Sequence, residues 1–131
     1  MPIPRNDLGV TVKAMRPVVP ARDFELGRRF YVDLGFQPEE LTDGLIEMRL
    51  GAFSFLLQDY YVPQWAENFV VHLLVTDVRR WWDHIVALDL GGRYGVKTAA
   101  PRQESWGLIA GVMDPSGVLW RIVEKVPSAG G

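Results

Sequence analysis

The chain has 131 residues, 48% of them hydrophobic and 23% charged, with a formal net charge of -2. That predicts one globular domain able to bury roughly two thirds of its unfolded surface. The charge balance excludes a basic nucleic-acid footprint, and the absence of cysteine excludes disulfides, thiolate metal sites and a cysteine nucleophile. No stretch approaches the ~20 apolar residues of a membrane span. The opening Met1-Pro2-Ile3-Pro4-Arg5-Asn6-Asp7 lacks the apolar run of a secretory signal, so the expectation is a cytoplasmic protein without nucleic-acid or membrane partners.

Residues 1–13 read as an N-terminal arm containing Val10-Thr11-Val12. A short strand is predicted over 14–20, and its prolines 17 and 20 suit an edge or a crossing between subunits, since proline cannot donate to a ladder. Asp23 then caps a helix whose apolar stripe, Phe24, Phe30, Tyr31 and Leu34, stops at Gly35. Strands follow over 36–41, 45–50 and 52–58, separated by the turns Thr42-Asp43-Gly44 and Gly51. Residues 59–68 read as a loop holding Tyr60, Tyr61, Pro63 and Trp65.

The second half repeats this order. A β-rich run covers 69–76, Asp77 is a cap, and Val78, Trp81, Trp82, Ile85 and Leu88 make a helical stripe that Gly91-Gly92 should stop. Strands are predicted over 94–99, 108–113 and 118–123, with Asp114-Pro115-Ser116-Gly117 as a hairpin turn. The pattern is βαβββ twice, an internal duplication. Module one spans 14–60 and module two 68–126, both in a single domain over 14–126, and 127–131 read as a flexible tail.

Three stretches carry a family likeness. The first is Pro17-Val18-Val19-Pro20-Ala21-Arg22-Asp23-Phe24, followed by Arg29-Phe30-Tyr31 and Leu34-Gly35-Phe36. The second is Gly44-Leu45-Ile46-Glu47-Met48-Arg49-Leu50-Gly51. The third runs from Glu104-Ser105-Trp106-Gly107 through Met113-Asp114-Pro115-Ser116-Gly117 to Trp120-Arg121-Ile122-Val123-Glu124. Together they resemble the glyoxalase / bleomycin-resistance / extradiol-dioxygenase superfamily (the vicinal oxygen chelate fold), and most of all its bleomycin-resistance-like members. The resemblance implies an α+β fold in which two tandem βαβββ modules form a curved mixed sheet around a cavity, with helices on the convex face. It also implies a homodimer with grooves between subunits, in which the N-terminal strand is often exchanged.

Strand alternation then assigns the faces. Arg16, Val18 and Pro20 share the cavity side with Ser54, Leu56 and Gln58. So do Val70, His72 and Leu74, and Leu119, Arg121 and Val123. Carried onto this chain, the superfamily's metal-ligand positions fall at Arg16, Leu56, Val70 and Arg121. Two are cations and two have no lone pair, so no metal and no other cofactor is expected. Arg16 and Arg121 pair with a carboxylate such as Glu47 or Glu40, recognise an anion on a ligand, or snorkel out of a more open cup. His72 is either a partly buried, hydrogen-bonded residue or a ligand contact. Tyr60, Trp65 and Trp106 suit a stacking site or a subunit interface.

The expected function is a metal-independent binding protein for a drug-like or aromatic small molecule, acting by sequestration, with no catalytic residue. Its ligand contacts would come from Arg16, Gln58, Tyr60, His72, Trp106 and Arg121. Two alternatives remain open at this level: a divergent lyase, isomerase or dioxygenase of the same superfamily, and a non-catalytic dimeric scaffold.

Overall fold

The computed structural model describes residues 7–125; the expected tail over 127–131 lies outside the described residues. Module one comprises β1 (Val18–Pro20), α1 (Phe24–Leu34), β2 (Gln37–Thr42), β3 (Leu45–Leu50) and β4 (Phe53–Gln58). A single helical turn, α2 (Pro63–Ala66), links it to module two. There follow β5 (Val70–Leu74), α3 (Val78–Ala87), α4 (Leu90–Tyr94), β6 (Thr98–Glu104), β7 (Gly107–Met113) and β8 (Leu119–Lys125). Two four-stranded mixed sheets result, ordered β1-β4-β3-β2 and β5-β8-β7-β6. In each, the first strand of the module lies parallel to the last, while the other pairings are antiparallel. The α+β duplication expected from the sequence is therefore present in strand order as well as in pattern.

The equivalent helices start alike. The carboxylate of Asp23 accepts from the N–H of Leu26, and that of Asp77 from the N–H of Arg80, both at 3.1 Å. Each cap satisfies one of the donors that a helix start leaves unpaired. Gly35 ends α1 with φ 130°, a conformation open to glycine.

Three expected boundaries shift. Only 18–20 of the predicted 14–20 strand is paired, because the chain before Pro17 leaves the sheet as an exposed arm. The 59–68 loop contains α2, started by Pro63 at a position where a missing N–H costs nothing. Gly91-Gly92 does not stop α3. The helix ends at Ala87, Asp89 takes φ 49°, and both glycines lie inside α4. With 90–94 helical, the strand expected over 94–99 begins instead at Thr98 and runs to Glu104, with a register shift between Ala99 and Arg102 around Pro101. A proline has no N–H for the ladder, which accounts for the irregularity.

The convex faces meet in one core. Ile46, Met48, Phe55 and Leu57 pack with Phe30, Tyr31 and Leu34 of α1, and Ala110, Val112, Trp120 and Ile122 belong to the same cluster with Val78 and Ile85 of α3. Tyr31, Phe36, Phe55 and Trp120 form an aromatic knot between the modules, with ring centroids 4.8–5.8 Å apart. A polar latch adds to it: Arg93 of α4 bridges to Asp33 of α1 at 2.9 Å, and the Tyr94 hydroxyl donates to the same carboxylate. The module interface is thus well packed.

Candidate functional site

Alternation places the non-core side chains on the concave faces. In β4, Phe55 and Leu57 are buried while Ser54, Leu56 and Gln58 are part- or fully exposed. In β5, Val70, His72 and Leu74 are exposed. Three assignments differ. Pro20, expected on the cavity side, is buried at the end of β1. Phe53, which alternation puts on the helix-facing side of Ser54, is 77% exposed at the start of β4. Val123, expected in the cavity, is fully buried, because Ile109 on β7 and Leu74 on β5 flank it in register.

On module two the concave face forms a cavity of about 400 Å³ lined by Ala99, Arg102, Trp106, Gly111, Leu119 and Arg121, among others. Its floor is small and apolar. Trp106 lies in the two-residue turn between β6 and β7. Its ring stacks near-parallel (24°) on that of His72, centroids 6.3 Å apart. His72 stands on β5 and pairs in register with Arg121 on β8, so the indole reaches back across an intervening strand. Arg102 pairs with Glu104 at 2.8 Å. Arg121 is exposed, and among the described residues no carboxylate lies within 4 Å of its guanidinium and it makes no hydrogen bond.

Module one is different. Arg16 Nε lies 2.9 Å from Glu47, which is only 4% exposed, and Arg49 contacts the same carboxylate at 3.0 Å and also pairs with Glu39. The Ser54 hydroxyl donates to Glu47 at 2.9 Å. That hydrogen bond, assisted by Arg49 and the charge of Arg16, holds the Glu47 carboxyl below its ordinary range against the opposing effect of burial. Arg16 therefore takes the salt-bridge course, and the cation is neutralised in place. Of the Glu47 network, sequence reasoning named only the Arg16 pairing. The signal for the rest was Glu47 and Arg49 sharing one face of an otherwise apolar strand.

Gln58 and Tyr60 fall in a third place. With Val18, Pro20, Trp65 and Phe69 they line a cup of about 360 Å³ at the end of β1, where the Tyr60 and Trp65 rings lie 6.0 Å apart. A largely apolar groove of about 430 Å³ runs between β4 and β5, lined by Pro17, Phe53, Ser54, His72, Leu74 and others. The six expected ligand contacts are thus split. His72, Trp106 and Arg121 come together, Gln58 and Tyr60 come together, and Arg16 is engaged with Glu47.

The positions where the superfamily's metal would be held do not fit one. Among the described residues no three His, Asp or Glu side chains converge, and the guanidiniums of Arg16 and Arg121 repel a cation.

A scan against protein-family models gives no match, and neither does a search of curated proteins. Solved structures do match. A bleomycin resistance determinant encoded on the transposon Tn5 aligns over 88% of this chain and 100% of its own, at 22% identity and TM-score 0.72. The bleomycin-binding protein of Streptomyces verticillus, solved with copper(II)-bleomycin, aligns over 88% and 99% at 21% identity and TM-score 0.72. A lactoylglutathione lyase from Agrobacterium tumefaciens aligns over 86% and 94% at 18% identity and TM-score 0.63. The chain has the fold of the glyoxalase / bleomycin-resistance / dioxygenase superfamily. Within that fold its architecture matches the bleomycin-resistance form.

Proposed function

We propose that this protein is a metal-independent small-molecule binding protein of the bleomycin-resistance type, which sequesters a drug-like aromatic ligand without converting it. The observation that carries the reading is the cavity of about 400 Å³ lined by Trp106 and Arg121. Its apolar floor supplies desolvation energy, its indole a stacking face, and Arg121 fixes orientation, while His72 backs the indole from the neighbouring groove. The likeness to a bleomycin resistance determinant and to a bleomycin-binding protein favours binding. The residues at the superfamily's metal positions, Arg16, Leu56, Val70 and Arg121, argue against a metal-dependent lyase, isomerase or dioxygenase.

The protein works as a homodimer that exchanges its N-terminal arm. Leu8, Val10, Val12 and Met15 are 63–92% exposed along that arm, an apolar strip that a second copy would cover. A pure scaffold would need its cavity filled by its own side chains. The Glu47 network fills module one that way, whereas the module-two cavity stays open.

The test pairs elemental analysis with titration of nickel, zinc, iron(II) and manganese while thermal unfolding is followed, then titrates planar aromatics against tryptophan fluorescence. Saturable binding of one aromatic per subunit, unchanged by a chelator, is the expected result. Stoichiometric metal that raises the melting temperature would restore the enzyme reading, and no binding at all would leave the scaffold.

A further inference from the structure

We infer that the module-two cavity selects planar aromatic anions, carboxylates above all, with Arg121 as the anion receptor; this rests on the binding reading above.

Charge pairing decides the sign. Four arginines stand on the concave faces, and three of them already have carboxylates: Arg16 and Arg49 hold Glu47 and Glu39, and Arg102 holds Glu104. Arg121 is left with no such partner among the described residues, yet it lines the cavity. If a second copy set its module-one face opposite, it would bring two arginines against two glutamates already paired with them. The site would keep its excess positive charge.

Geometry decides the shape. Gly111 and Ala99 lie side by side in register on β7 and β6 and put almost no side chain into the floor. Leu119 and the Trp106 indole border the same cavity. A flat ring can lie on that floor beside the indole. A carboxylate on its edge meets the guanidinium fork, which suits a planar two-oxygen anion through paired N–H donors. An ammonium on the same ring would face Arg121 and be repelled. The cavity is therefore mismatched to a strongly cationic ligand.

Three probes of one size separate the possibilities: naphthoate, naphthalenemethanol and naphthylmethylammonium, each titrated calorimetrically. Naphthoate should bind at least about tenfold more tightly than the alcohol, with the ammonium weakest. Arg121→Gln should erase that preference, bringing naphthoate down to the alcohol's level. Because Arg121 makes no internal hydrogen bond, its loss should not lower the melting temperature. Arg79→Gln, on the helix covering the opposite side of the sheet, controls for bulk charge and should retain the preference. Equal binding of all three probes, tighter binding of the ammonium, or a preference that survives Arg121→Gln would overturn the inference while leaving the binding reading standing. Absence of binding by every probe would overturn both.

Discussion

At the scale of single residues, the most constrained group lies outside the cavity. Asp114 opens the turn between β7 and β8, and its buried carboxylate accepts from the N–H groups of Ser116 and Val118 at 2.8 and 2.9 Å and from the Tyr31 hydroxyl. The Trp120 indole donates to that same hydroxyl at 2.8 Å. Burial pushes the Asp114 carboxyl up, and the hydrogen bonds from Tyr31, Val118, Ser116 and Gly117 oppose the shift. Burial likewise drives Tyr31 well above the ordinary phenol range. Tyr31→Phe removes a donor from the carboxylate and an acceptor from the indole in one step. It should destabilise the fold by about 2 kcal/mol, read as a lower urea midpoint at unchanged m-value. An unchanged midpoint would mean that water replaces the hydroxyl.

At the scale of elements, α1 carries a correctable weakness. Gly27 is buried in the helix interior, where a Cβ would meet Ala21 Cβ and a Leu57 methyl at 3.6 Å, ordinary contact distance. Gly27→Ala should therefore stabilise the protein by about 0.5–1 kcal/mol, measurable as a raised urea midpoint. A fall would show that the α1–β4 packing tolerates no added methyl. Gly107 behaves differently. A Cβ there would lie 2.8 Å from the Glu124 carbonyl oxygen, so the hairpin that carries Trp106 is held close against β8 by backbone.

At the scale of the whole molecule, the arm is the element without a home. Residues 7–17 are exposed throughout, and their apolar side chains are too many for a solvated tail. Val10→Asp combined with Met15→Asp should convert a dimer into a monomer in sedimentation equilibrium at tens of micromolar, with the monomer's melting otherwise cooperative. A monomeric unsubstituted protein, or a variant that stays dimeric, would remove the exchanged arm from the proposal.

The sequence by itself determined the duplicated βαβββ order, both Asp caps, the Gly35 stop and most of the faces assigned on β4, β5 and β8. These are local properties, governed by turn chemistry, capping and period-two alternation. It missed the α3–α4 break because a non-glycine residue, Asp89, takes a left-handed conformation that favours glycine, and the neighbouring Gly91-Gly92 offered a more obvious stop. It named His72, Trp106 and Arg121, yet their meeting depends on a hairpin folding back across β8. Only the tertiary structure decided that Arg16 is spent on Glu47 while Arg121 is not, and that Gln58 and Tyr60 line a separate cup. Arg49–Glu47 and Arg102–Glu104 are two apart on single strands, but Arg16 reaches Glu47 from a distant segment, a meeting set by how the strands pair and not by spacing along one of them.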